Sequence, residues 1–121
     1  MSYNFDNNIP IYIQLVDNLK IEIISGILKP GERLASVRDL ALKYKVNPNT
    51  MQKAMLELEN LKLIYTETTN GKYVTSDKEL ISKYRENYAK KMSQKYLQNM
   101  QDLGYSHIEI INYIKICKGE K

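Results

Sequence analysis

Asn49, Thr50, Gln52 and Lys53 occupy the opening of one short helical stretch. Three of them carry short amide or hydroxyl groups able to read base edges, and the fourth is a cation suited to phosphate. Arg33, Ser36, Arg38 and Asn47 precede them, and Asn70, Gly71 and Lys72 follow. This is the chemistry of recognition, not of bond breaking. His107 is the sole imidazole and Cys117 the sole thiol, and neither a paired-carboxylate nor a Ser/His/Asp arrangement is visible. No glycine-rich phosphate loop occurs either, so an enzyme finds no support. One His and one Cys cannot make a zinc site with neighbouring thiols, and no cofactor is expected.

Two helix starts position these groups. Ser36 can cap a first helix, with Asp39 three residues on as a short-armed capping box. Val37, Leu40, Ala41 and Tyr44 then recur at helical spacing. Lys45-Val46 leaves room only for a turn. Asn47 caps the next helix, and Pro48 takes its first position, where a missing N–H costs nothing. Met51, Ala54, Met55 and Leu58 form the inward stripe. Helices joined this tightly, the second with a polar leading edge, read as a helix-turn-helix whose second helix enters a DNA major groove. A helical hairpin inside some other core would share the caps, so the surroundings must decide.

Upstream, a helix is expected from Ile9-Pro10 to about Ser25, with Tyr12, Leu15, Val16, Leu19 and Ile23 on one face and Gly26 as its stop. Residues 1 to 8 read as polar and loose. Pro30-Gly31 dictates a turn, and Leu34 returns to the core as a short extended piece. Downstream of Asn60 the period changes: Leu63 to Thr68 and Lys72 to Thr75 are rich in β-formers, with Asn70-Gly71 between them as a hairpin signal. Tyr65 and Tyr73 are expected to pack across the strands. Helix, short strand, helix-turn-helix and hairpin together spell a winged helix, its tip carrying Asn70, Gly71 and Lys72.

The motifs Pro10-Ile11-Tyr12-x-Gln14-Leu15, Gly26-x-Leu28-x-Pro30-Gly31-Glu32-Arg33-Leu34, Ser36-Val37-Arg38-Asp39-Leu40-Ala41, Val46-Asn47-x-Asn49-Thr50, Leu58-Glu59 and Gly71-Lys72-Tyr73-Val74, in this order, resemble the GntR family of bacterial transcription regulators over roughly residues 9 to 75. The all-helical remainder is similar to the YtrA subfamily, whose C-terminal part serves mainly to dimerise. The resemblance implies that Arg38 reaches DNA from the second helix, that Arg33 and Ser36 lie near the phosphate backbone, that Asn49, Thr50 and Gln52 meet bases and phosphates, and that Gly71 marks the wing tip. It also implies target genes for membrane transporters. Four positions depart from the pattern. Pro48 and Gln52 stand where many relatives carry Arg, which with Gln52 shifts base preference from guanine towards adenine. Ala35 replaces the usual Pro, and Lys62 the usual Gly after the recognition helix, where the turn is expected to be tight or strained.

The chain has 121 residues, 43% of them hydrophobic, and a net charge of +4. That is enough for one domain, or a small domain with an appendage. Residues 1–75 hold nine Lys/Arg against eight Asp/Glu, and residues 76–121 nine against six. The part read as DNA-binding is thus nearly neutral, and local placement must carry the recognition. No apolar run approaches the ~20 residues of a membrane span. With no basic-then-apolar N-terminus, no signal peptide is expected, and the lone cysteine fits a reducing cytoplasm.

Residues 76–121 are read as a dimerisation domain beside the winged helix-turn-helix of residues 1–75. Ser76-x-x-Glu79 is a capping box opening a long helix, with Ile81, Tyr84, Tyr88, Met92, Tyr96, Met100 and Leu103 at spacings of three or four. Gly104 stops it. Ser106 and Glu109 cap a last helix carrying Ile108, Ile111 and Ile114, with Tyr105 and Ile110 as a hydrophobic staple. Such stripes would lie uncovered in a monomer, which points to a symmetric homodimer. A tyrosine-lined ligand pocket is the alternative, but two helices form a poor cavity. A small-molecule effector is left open without identity; its place would be between subunits or between wing and helix. The fold expected is therefore mainly α with a small β-hairpin. A homodimer would repress by occluding a promoter at an inverted repeat. A winged helix used as a protein adaptor would instead show no salt-dependent binding to duplex DNA.

Overall fold

The computed structural model describes residues 5–68 and 71–119. In chain order it has α1 (Ile11–Ile24), α2 (Val37–Tyr44), α3 (Pro48–Asn60), β1 (Ile64–Glu67), β2 (Gly71–Val74), α4 (Lys78–Asp102) and α5 (His107–Cys117). The fold is mainly helical with a two-stranded antiparallel hairpin. It divides into two compact units, Met1–Tyr84 and Arg85–Lys121. The first two turns of α4, read from sequence as the start of the appendage, belong to the unit that holds the hairpin.

In the first unit the apolar periodicities converge on one core. Leu15, Val16, Leu19 and Ile23 of α1, Leu40, Ala41 and Tyr44 of α2, and Met51, Ala54, Met55 and Leu58 of α3 are all buried. α3 packs against both α1 and α2 and touches β1, so it is the central helix. Leu34, Leu63, Ile64, Val74 and Ile81 close the core around it. Glu22 lies buried as well, its carboxylate accepting from the Tyr44 hydroxyl at 3.2 Å. The approach to α1 is not loose from Asp6 onward. The Gln14 amide donates to the carbonyls of Asp6 and Ile9 and accepts from Asp6 N–H, at 2.7 to 2.8 Å.

Local hydrogen bonds explain where the helices begin and end. Ser36 Oγ accepts from Asp39 N–H and Asn47 Oδ1 from Asn49 N–H, caps worth about 1 kcal/mol each. α2 ends with Val46 N–H on Ala41 O and Lys45 N–H on Leu42 O, and α3 repeats the pattern with Leu63 on Leu58 and Lys62 on Glu59. This double bond pattern needs a left-handed residue, normally glycine. Here lysines supply it, Lys45 at φ 57° and Lys62 at φ 63°, each at a cost of about 1 kcal/mol.

Two turns differ from the sequence reading. Glu67 pairs with Gly71 in the hairpin, so Gly71, at φ +93°, heads β2 and is not the second residue of a two-residue turn; Asn70 lies outside the described residues. At the start of α4 the cap is Asp77, whose carboxylate accepts from Leu80 N–H at 3.1 Å, not Ser76. Thr75 Oγ1 takes the Asp77 N–H, which delays the helix by one residue. The Ser76 hydroxyl faces Gly31 instead, where an added Cβ would come within 3.3 Å of it.

The second unit holds the rest of α4 and α5. Gly104, at φ +93°, ends α4, and the Ser106–Glu109 capping box opens α5 as expected. Ile110 is buried, whereas Met92, Leu103, Ile108, Ile111 and Ile114 are exposed. Tyr105 and Tyr113 meet edge to face at 5.0 Å.

Candidate DNA-binding surface

α3 presents two opposed faces. At about 3.6 residues per turn, Met51, Ala54, Met55 and Leu58 point into the core, while Asn49, Gln52, Lys53 and Leu56 fall on the opposite side and are exposed. Thr50 lies between and is half-buried. Sequence and structure therefore agree on a polar outward edge at the start of the helix, projecting from a buried support. Asn47 is exposed too, but its side-chain oxygen is engaged in capping.

Arg38 stands exposed at the second position of α2, beside the Ser36 cap. Ser36 Oγ accepts within the helix, leaving its O–H proton free to donate. Neither Arg38 nor Arg33 has a carboxylate partner among the described residues. Arg33 belongs to the extended piece that bridges to Tyr73 of β2. Leu34 N–H donates to Lys72 O at 2.8 Å and Val74 N–H to Glu32 O at 2.9 Å, so the piece acts as a third strand. It carries the Arg33 guanidinium to Gly71, where a Cβ would lie 3.7 Å from Nε. A shallow groove of about 330 Å³ runs between the start of α2 and the hairpin, lined by Arg33, Ser36, Thr66, Gly71 and Lys72 among others. A guanidinium, a helix N-terminus and a glycine side by side suit a phosphate of a backbone passing through.

Two of the cations have partners within the chain that the sequence did not announce. The Lys53 ammonium lies 3.9 Å above the Tyr12 ring of α1, a cation–π contact that steers the side chain along α3. Lys72 does not project from the wing. Its Nζ donates to Glu59 Oε1 at 2.8 Å and to Thr66 Oγ1 at 2.9 Å. The Thr66 hydroxyl donates to the same Glu59 oxygen. Lys72 first, then Thr66, hold the Glu59 carboxyl below its ordinary pKa. Glu59 stood in a family motif, but nothing local marked it as the partner of a residue thirteen positions on. Tyr65 and Tyr73 stack across the hairpin at 5.6 Å, as expected.

Tyr84, assigned from sequence to dimerisation, is half-buried in the first unit, where its hydroxyl donates to Leu61 O at 3.0 Å and Lys20 sits over its ring. Tyr88 and Met100 are half-buried, and Met92 and Tyr96 exposed, along α4.

A helix-turn-helix with an exposed polar edge, followed by a hairpin whose base is pinned to it, defines a winged-helix DNA-binding protein. Residues 11–74 match the family described as bacterial regulatory proteins, gntR family, and the chain belongs to that family of transcriptional regulators. YhcF of Bacillus subtilis, described as an uncharacterized HTH-type transcriptional regulator, is 30% identical over 115 residues, 95% of either chain. The HTH-type transcriptional repressor YtrA of the same organism is 43% identical over 68 residues, 56% of this chain and 52% of that one. A solved GntR family transcriptional regulator from Listeria monocytogenes superposes with a TM-score of 0.86 at 40% identity, covering 92% of this chain and 97% of that one. No helix among the described residues is long and apolar enough to cross a membrane.

Proposed function

We propose that the chain represses transcription as a homodimer bound to an inverted-repeat operator. Each subunit lays α3 in the major groove of one half-site, with half-site centres about one helical turn apart or a multiple of it. Asn49, Thr50 and Gln52 face bases, and Arg33, Ser36, Arg38 and Lys53 face phosphates. The wing around Asn70, Gly71 and Lys72 approaches the neighbouring minor groove or backbone. The carrying observation is the opposed pair of stripes on α3, one wholly buried and the other open, with polar Asn49, Gln52 and Lys53 at its leading end. Repression is supported by the similarity to YtrA, a repressor by name. The YtrA-like pattern also supports transporter genes as targets and the cytoplasm as the place of action. The second unit would hold two readers in two-fold relation through the exposed side chains of Met92, Tyr96, Ile108, Ile111 and Ile114, with Tyr88 and Met100 beside them.

A gel-shift titration on the DNA upstream of the chain's own gene tests this reading. Binding is expected to weaken steeply as salt rises, because each neutralised phosphate releases counterions. Arg38→Ala and Gly71→Asp are expected to weaken it further while leaving the dimer intact. Equal affinity of all three proteins would overturn the proposed surface.

A further inference from the structure

The wing lysine is held in a way that a phosphate-contacting cation would not be. Lys72 and Thr66 are directly opposite each other in the hairpin, and both donate to one oxygen of Glu59 on the last turn of α3. The side chains are largely covered, 18% exposed for Lys72 and 26% for Glu59. The contrast is Lys90–Glu86 on α4, at 3.9 Å with both side chains about two-thirds exposed, a geometry that contributes little. Two of the three ammonium protons of Lys72 are committed to Glu59 and Thr66, and a phosphate that drew the side chain outward would pull it off Glu59. That would leave the Glu59 carboxylate facing the DNA polyanion with only the Thr66 hydroxyl as donor.

We propose, resting on the DNA-binding reading above, that Lys72 is a positioning residue. With Thr66 it fastens the hairpin to the end of α3 through Glu59, and so fixes where the wing meets the duplex. The hairpin has other attachments: the Lys62 turn at its base, and the Glu32–Leu34 ladder, which follows β2 from Val74 to the Lys72 carbonyl. Residues 59, 66 and 72 add the side-chain tie from both strands to the end of α3. Neutralising Glu59 is part of the same role, because an unpaired carboxylate there would repel the backbone.

The two roles give opposite signs for one substitution. If Lys72 contacted phosphate, Glu59→Gln would release it and tighten binding. If it positions the wing, Glu59→Gln loosens the hairpin and weakens binding. The experiment uses the full chain and a duplex that the wild-type protein selects from a random pool, read by fluorescence anisotropy across a salt series. Glu59→Gln and Lys72→Met are each expected to weaken binding about threefold to tenfold, with the double variant no worse than the weaker single, as coupled neighbours require. The double variant should keep the wild-type salt slope, whereas loss of a phosphate contact would lower it by about 0.9. Amide hydrogen exchange in β1 and β2 should quicken in both single variants. Tighter binding by Glu59→Gln, a shallower slope in the double variant, or unchanged hairpin exchange would each overturn the proposal. Failure of the wild-type chain to select any duplex would instead overturn the DNA-binding reading, and the exchange measurement would still decide whether the tie holds the hairpin.

Discussion

The two units use the same kind of helix and finish differently. In the first, the apolar stripes of α1, α2 and α3 end in side chains almost wholly removed from water, with Met51, Ala54 and Met55 at 0% exposure. In the second, Ile110 is buried while Ile108 is 81% exposed and Ile111, Ile114 and Ile116 are each more than half exposed. On our proposal, this face, apolar at helical spacing yet exposed, is the one a second copy of the chain covers. The inward stripes of the first unit are covered within one copy, while Leu42 and Leu56 on the outer faces of α2 and α3 stay exposed. The stripes of the second unit are covered, on that proposal, in two copies.

The largest expected effect tests that contrast directly. Met55→Ala should cost about 2–5 kcal/mol, because it opens a cavity in a closed core. Ile111→Ala, measured in solution too dilute for association, should change stability by no more than about 0.5 kcal/mol. Ile111→Ala should nonetheless weaken dimerisation measured by analytical ultracentrifugation. Similar unfolding costs in chemical denaturation would break the distinction between a finished and an unfinished face.

Next in size is Arg38→Ala, a change on the open surface of the closed unit. It should weaken operator binding roughly equally across sequences and lower the salt slope by about 1, as loss of a phosphate contact does, with the melting temperature unchanged. A matching loss of thermal stability would mean that Arg38 serves the fold and not the DNA.

A smaller effect concerns helix ends. Gly104 takes the left-handed position after α4, but Lys62 takes the corresponding one after α3. Lys62→Gly should stabilise the chain by about 1 kcal/mol, since the Cβ penalty disappears. Gly104→Lys should destabilise it by a similar amount. Differential scanning calorimetry of the two variants checks both signs.

The smallest is a pH effect on the Glu59 tie. Hydrogen bonds from Lys72 and Thr66 hold this carboxyl below its ordinary value. Its contribution is therefore full above the unfolded-state pKa and is lost as pH falls through the lower folded value. Thermal stability should fall slightly less steeply in acid for Glu59→Gln than for the wild type. Parallel curves would show that the pair contributes nothing to stability.

Most of the reading surface was legible because its signals are local. Ser36 and Asn47 cap within three residues, Pro48 fits a first helical turn, and the inward and outward stripes of α3 follow from one period. The hairpin was legible as well, but not its loop. Asn-Gly suggested a two-residue turn, whereas the register pairs Glu67 with Gly71. The start of α4 misled for a related reason. Ser76 and Glu79 have the capping spacing, yet the end of β2 and the Thr75 hydroxyl commit the preceding backbone and hand the cap to Asp77. Least legible were Lys53 over Tyr12 and Lys72 on Glu59. Both depend on which helices and strands come together, which no spacing along the chain records.

On our proposal α3 enters the major groove of duplex DNA while the wing stays at the minor groove or backbone. Dimethyl sulfate probing of the selected duplex separates the two grooves, because it modifies guanine at N7 on the major-groove edge and adenine at N3 on the minor-groove edge. We expect guanines within two symmetric half-sites to be protected by the wild-type chain, and that protection to be lost with Arg38→Ala at the same protein concentration. Guanine reactivity unchanged across a duplex that the protein demonstrably binds would contradict the central claim.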